Sequence, residues 1–371
     1  MSRPLSAVDC IAPAFAQTKK QLFQPFRWGR WARLALISLI AGESAGGGGG
    51  VPSGHFNIPI SHPRDGRTPL AIPNIQWGEV LHYLPWIVAG VALILLLILL
   101  WIYAASVFRF VLFDSVLHDR CQFKGSWTRW EPCGRSYFLW SLAFFVVVMI
   151  GFALLIGAPL VIAWRAGLFH HPNEHIGALI LGGAALLVGL IVYTVLSGIT
   201  GLFAKDFCVP IMATENVGVL DAWRRLLPLL AAEMMGFAGY VLMKIVLAIG
   251  AAIIFGIITL LTLVALLISL GIAGVIVFFG GKASGLTLNV ATISILIALG
   301  AIILAGLIYL AALINTPAIV FFQSYVLHFI GARYEGVGCV LFPPPPGTPP
   351  PSGAQIPPAP GGLPVIEPSI G

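Results

Sequence analysis

The sequence predicts an all-α fold, a polytopic helical membrane bundle of about six spans with amphipathic helices at its interface. Three observations predict it. A near-continuous apolar tract runs from Leu84 to Ile330, broken only by short polar elbows. Charged residues make up only 9% of the chain, and mean hydropathy is +0.97. The basic residues gather in the N-terminal segment and in the elbows, beside tryptophans. A soluble core of this length needs charged surface at intervals. A bilayer removes that need and admits apolar runs of ~20 residues as spans.

The organisation follows in order: a basic amphipathic segment over 1–42, a Gly-rich linker over 43–80, a helical transmembrane domain over 81–331 and a Pro-rich tail over 332–371. In the first segment Arg27, Arg30 and Arg33 recur every three residues, with Trp28 and Trp31 between them. Indoles favour the headgroup boundary and guanidiniums reach phosphate, so these five residues are candidate headgroup contacts. The apolar part, Leu34 to Ala41, is too short to cross, so the segment is expected to lie on the surface or dip partly in. Asp9 interrupts the only candidate leader core and excludes a lipid-attachment reading of Cys10, so the first full span is expected to act as an uncleaved insertion signal.

Five glycines, Gly46 to Gly50, open the linker; without a strand before them and a helix after them they do not read as a phosphate cradle. Hydropathy then places spans near 84–107, 137–163, 176–203, 229–254, 257–279 and 290–314. The unbroken tract from Leu229 to Phe279 is the hardest to divide. Two tight-turn spans fit it, and so does one long tilted helix plus a half-helix. Tyr83, Trp86, Trp101, Tyr137, Trp140 and Trp164 fall near span ends, as an aromatic belt requires.

A weak internal repeat links these spans. Three times a span runs into an aromatic-rich elbow, at Phe108–Asp114, Asp206–Pro210 and Phe321–His328. The middle elbow continues into a stretch where Val219, Leu220, Trp223, Leu226 and Leu227 follow helical spacing, opposite Asp221, Arg224 and Arg225. Trp223, Arg224 and Arg225 join the candidate headgroup contacts. The first two elbows carry about eight Lys and Arg against one in the 164–175 loop, which points those elbows and the N-terminus to the cytoplasmic face of a prokaryotic inner membrane. Six crossings put the third elbow outside and five return it inside, so the side of the C-terminus stays open at this stage. The tail beyond Pro343 has polyproline character and reads as extended chain.

Net charge is +6, but its placement at span ends speaks for anionic lipid rather than nucleic acid. Cys10, Cys121, Cys133, Cys208 and Cys339 form no C-x-x-C pair, which argues against a disulfide framework or a zinc site. Inside the apolar tract, Lys244 stands near the middle of the fourth span. An ammonium at bilayer centre costs at least ~2.5–3.5 kcal/mol, so it should face the bundle interior or a wet cavity. Glu233 precedes it by eleven residues; on one helix the two would share a face, ~16 Å apart. They are the candidate intramembrane polar site. His170, His171, Glu174 and His175 offer metal-type ligands in one loop, although Pro172 spoils a helix through them. Asn315-Thr316-Pro317 marks a kink or an end in the last span. No nucleophile–base pairing, zincin or Walker pattern occurs, so an enzyme is disfavoured, and no cofactor is expected.

Gln24-Pro25-Phe26-Arg27-Trp28-Gly29-Arg30-Trp31 ahead of the glycine run, and Asn216-Val217-Gly218-Val219-Leu220-Asp221-Ala222-Trp223-Arg224-Arg225 ahead of a span, carry a resemblance. Over roughly residues 15–335 the chain resembles uncharacterised prokaryotic multi-pass families related to the membrane domain of some bacterial glycerophosphodiester phosphodiesterases. The resemblance implies a membrane domain without catalytic residues to carry over and without hydrolase activity. Two functions are then expected to compete. One is a non-catalytic membrane module that contacts lipid headgroups or anchors a partner. The other is a small-solute or ion transporter with Lys244 and Glu233 on its path.

Overall fold

The computed structural model describes residues 5–24, 26–43, 77–118, 123–167, 176–283 and 289–341. Among them there are helices and no strand. Two short helices come first, α1 (Ile11–Phe23) and α2 (Trp28–Ile40), then three long ones, α3 (Trp77–His118), α4 (Phe123–Arg165) and α5 (Ile176–Phe203). A π-helical turn, Ala204–Cys208, continues α5 directly into α6 (Val209–Glu215). The amphipathic α7 (Val219–Ala232), the long α8 (Met234–Ala283) and α9 (Val290–Gly331), and the short α10 (Glu335–Leu341) follow.

Local chemistry sets the boundaries. Asn216 closes α6 in the left-handed conformation (φ 53°), which asparagine tolerates. Val219 N–H then donates to Ser136 Oγ at 3.2 Å and starts α7 against α4. At Glu233 the backbone leaves helical geometry (φ −129°), while its carbonyl accepts from Gly236 and Phe237 and starts α8 afresh. Asn289 and Thr292 form a reciprocal capping box on α9. Met234–Ala283 is one continuous helix of 50 residues, about 75 Å long, where two spans were expected. Phe255-Gly256-Ile257, where the division was expected, offers one glycine but no proline and no polar turn residue, and a lone glycine is tolerated inside a helix. Among the described residues five helices are long and apolar enough to cross a membrane.

The packed core sits at one end of these five helices. It gathers the last turns of α3, the first of α4, the π-turn, α6, α7, the start of α8 and the end of α9. Its centre is aromatic: Tyr240 lies 4.6 Å from Phe329 and stacks on Tyr325 at 5.4 Å, while Phe207 meets Phe237 edge-on at 5.2 Å. The most apolar stretch of each long helix lies wholly outside this core, with its leucines, isoleucines and tryptophans exposed. Such a surface is stable in lipid and not in water.

The N-terminal segment is part of the same core rather than a separate surface element. Leu34, Ala35, Ile37 and Ser38 of α2 are buried. Trp31 Nε1 donates to Leu313 O and Tyr309 Oη to Ala32 O, both at 3.0 Å, which fastens α2 to α9. Gln21 of α1 donates to Val116 O of α3, and Tyr325 Oη donates to Ala7 O at 3.0 Å. Glu335–Leu341, in the segment expected to be tail, form the helix α10. Tyr334 donates to Glu215, and α10 packs so closely on the end of α9 that a Cβ at Gly338 would lie 2.5 Å from Gly331 O. The glycine run of the linker and the polyproline part of the tail lie outside the described residues.

Gly134 sets the approach of α3 and α4. A Cβ there would fall 2.6 Å from Val107 Cγ2 and 2.9 Å from Val107 Cα, and a backbone atom cannot give way as a side-chain tip can. Gly134→Ala should therefore lower the thermal unfolding temperature in detergent, at a cost of about 1–3 kcal/mol. Gly90→Ala, in open space, should leave it unchanged or raised.

Candidate functional site

The unusual chemistry of this chain lies where α2, α3, the π-turn and α8 meet. A π-turn inserts an extra residue per turn and rotates neighbouring side chains away from their helical positions. Here it turns both Lys205 and Asp206 into the core. Lys205 Nζ pairs with Glu43 just beyond α2, at 2.5 Å. Asp206 pairs with the buried Lys244 of α8 and accepts from Tyr240 Oη at 2.9 Å. Arg109 of α3 lies 3.4 Å from Glu43 and donates to Tyr137 Oη at 2.7 Å.

Two carboxylates and three cations thus share one buried region, and the partners within each ion pair come from different elements. Burial alone would raise the Glu43 carboxyl's pKa, but Lys205 and Arg109 outweigh it and hold the group below its ordinary value. Glu43 therefore stays ionised at neutral pH. Between the two ion pairs lies a narrow cavity of about 20 Å³, lined by Glu43, Lys205, Asp206, Lys244 and Gln323. That is room for about one water molecule.

Lys244 faces the protein interior and has a carboxylate partner, Asp206. Glu233 is elsewhere. It sits in the break between α7 and α8, so the helix that would align it with Lys244 begins only after it. Its carboxylate accepts from Arg333 Nε at 2.8 Å, while Arg333 also donates to Leu5 O at 3.0 Å and covers the Phe329 ring at 3.9 Å. The structure brings each of the two to its own ion pair and not to a common path.

Of the candidate headgroup residues, Arg27, Trp28 and Arg33 are exposed, whereas Trp31 is half-buried and bonded to α9. Arg30 is half-buried. Arg224 is exposed and pairs with Asp221 at 3.4 Å; Arg225 pairs with Glu215; Trp223 packs 6.2 Å from Trp140. The histidines at 170, 171 and 175, with Glu174, lie outside the described residues. Cys10, Cys133 and Cys208 are buried free thiols, and burial pushes the Cys10 thiol up to about 11.

A family model described as a family of unknown function, DUF7544, matches residues 5–340. The chain belongs to DUF7544. No curated protein and no solved structure matches it. The DUF7544 match runs from ahead of α1 into α10, so the N-terminal pair and the charge cluster both fall within the family's shared region.

Sequence reasoning missed Glu43, Arg109, Lys205, Asp206 and Tyr240 as members of this cluster. One signal could have found Asp206. A lysine committed to an apolar helix needs a carboxylate, and only 14 acidic residues exist in the chain. Of these, Asp206 lies only three residues beyond the apolar run that ends at Phe203, and Phe207 follows it.

Asp206→Ala leaves the Lys244 ammonium buried without its counter-charge and should destabilise the fold by about 3–5 kcal/mol. Asp206→Leu combined with Lys244→Met removes both charges and should recover most of that loss. Equal unfolding temperatures for the single and double variants would show that the two residues are uncoupled.

Proposed function

We propose that this protein is a non-catalytic membrane module whose core-end face meets anionic lipid headgroups on the cytoplasmic side of a prokaryotic membrane. The observation that carries this reading is the division of the charges. The cluster's buried charges are spent on one another around a cavity with room for one water. Exposed cations, Arg27, Arg33 and Arg224 among them, stand on the periphery of the same end. A solute path through the bundle would need polar groups at successive depths, yet Lys244 and Glu233 belong to separate pairs. The transporter reading keeps one support, the small cavity that reaches Lys244. The resemblance to membrane domains that accompany a soluble phosphodiesterase fits a module that holds a separate partner at the membrane.

Each basic residue near an anionic surface is worth about 1 kcal/mol, a contribution that salt screens. Reconstituted protein should therefore unfold at a higher temperature in phosphatidylglycerol than in phosphatidylcholine bilayers of the same chain length. Replacing Arg27, Arg33, Arg224 and Arg225 together by glutamine should abolish the difference. A wild-type protein indifferent to headgroup charge would refute the reading, and substrate flux lost on Lys244→Leu with folding intact would favour the transporter.

A further inference from the structure

Below α7, between α5 and α8, runs an apolar groove of about 640 Å³. Ile199 and Phe203 of α5, Leu227 of α7, and Met234, Ala238 and Ile245 of α8 line it. Met234 stands at the break where α7 gives way to α8, at the core end; Ile245 lies eleven residues further, about 16 Å along the helix axis. That depth is about half of a ~30 Å hydrocarbon core, the thickness of a single leaflet. The walls carry almost no polar atoms, as an acyl chain requires.

A cation shares the α7 face that lines the groove, since Arg224, Leu227 and Ala231 follow helical spacing. Arg224 lies one turn N-terminal to Leu227 and about 60° round α7 from it. Its side chain is 81% exposed and pairs with Asp221 across the helix surface at 3.4 Å. A second apolar groove, of about 580 Å³, lies between α4 and α5 and is lined by Leu154, Tyr193 and Leu196 among others. No basic residue stands within two turns of it on α4. The two grooves are alike in volume and differ in the charge at the headgroup end.

We infer that the α5–α7–α8 groove is a specific phospholipid site: one acyl chain of a core-side-leaflet lipid fills it, and Arg224 holds the anionic phosphate headgroup. This rests on the proposed meeting of the core-end face with headgroups and names the site where one lipid is retained. An anionic lipid satisfies Arg224 better than a zwitterionic one, whose own cation competes for the phosphate.

Native mass spectrometry of the full chain, purified in detergent and supplied with equal phosphatidylglycerol and phosphatidylcholine, tests it. Wild type should retain one phosphatidylglycerol. Ala238→Trp, which fills the groove from an exposed position, should lose it, while Leu154→Trp in the second groove should keep it. Arg224→Gln should still bind a lipid but with its anionic preference reduced about fivefold, the worth of one surface charge. Helical circular dichroism equal to wild type qualifies each variant. Retention by Ala238→Trp, or a bound free fatty acid in place of a phospholipid, overturns the site. Failure of the site leaves the bilayer-wide headgroup effect intact, so the two ideas fall separately.

Discussion

Removing charge from water dictates the shape of this molecule. Glu43, Arg109, Lys205, Asp206 and Lys244 are tolerable in an apolar interior only because each finds an opposite charge within the same few ångströms. Their partners come from α2, α3, α5 and α8, so the pairs can form only if those elements converge. The π-turn makes this possible by presenting consecutive residues of opposite sign, Lys205 and Asp206, to different neighbours. The aromatic cluster of Tyr240, Tyr325 and Phe329 packs beside the pair at Asp206, where the remaining space holds about one water molecule.

Beyond that end the long helices need little from one another. Their backbone groups are satisfied internally and their side chains suit lipid, so the apolar stretches meet at few points, such as Tyr193 of α5 donating to Val148 O of α4 at 3.2 Å. The consequence is a bundle held at one end. Residues 5 and 7 bond to Arg333 and Tyr325, which places the N-terminal helices and the end of α9 together. Glu43 lies beside Arg109, whereas α3 begins 32 residues earlier at Trp77, about 48 Å away along the helix axis.

The helical class and most span positions were legible because hydropathy and period are local signals. The apolar stretches of α3, α4, α5 and α9 stand in the sequence as unbroken runs. What escaped was long-range. Arg109 and Lys205 look like basic elbow residues, and Glu43 looks like the start of a linker, because their counter-charges lie far away in the chain. The α2 stripe at Leu34, Ala35 and Ile37 has the amphipathic pattern of a surface helix, and the same pattern serves burial against α9. The helical spacing of Val219, Leu220, Trp223, Leu226 and Leu227 marks α7 in advance, but not its end at Glu233, which hydropathy alone joins to the following span.

Cysteine accessibility in sealed vesicles of defined orientation tests the one-ended arrangement most directly. Cys10, Cys133 and Cys208 are buried, which leaves the exposed Cys339 as the reporter once Cys121 is replaced by serine. A membrane-impermeant maleimide should label Cys339 and an added Lys19→Cys from one side, and Arg165→Cys at the far end of α4 only from the other. Labelling of Cys339 and Lys19→Cys from opposite sides, or of Arg165→Cys from the same side as both, would contradict it.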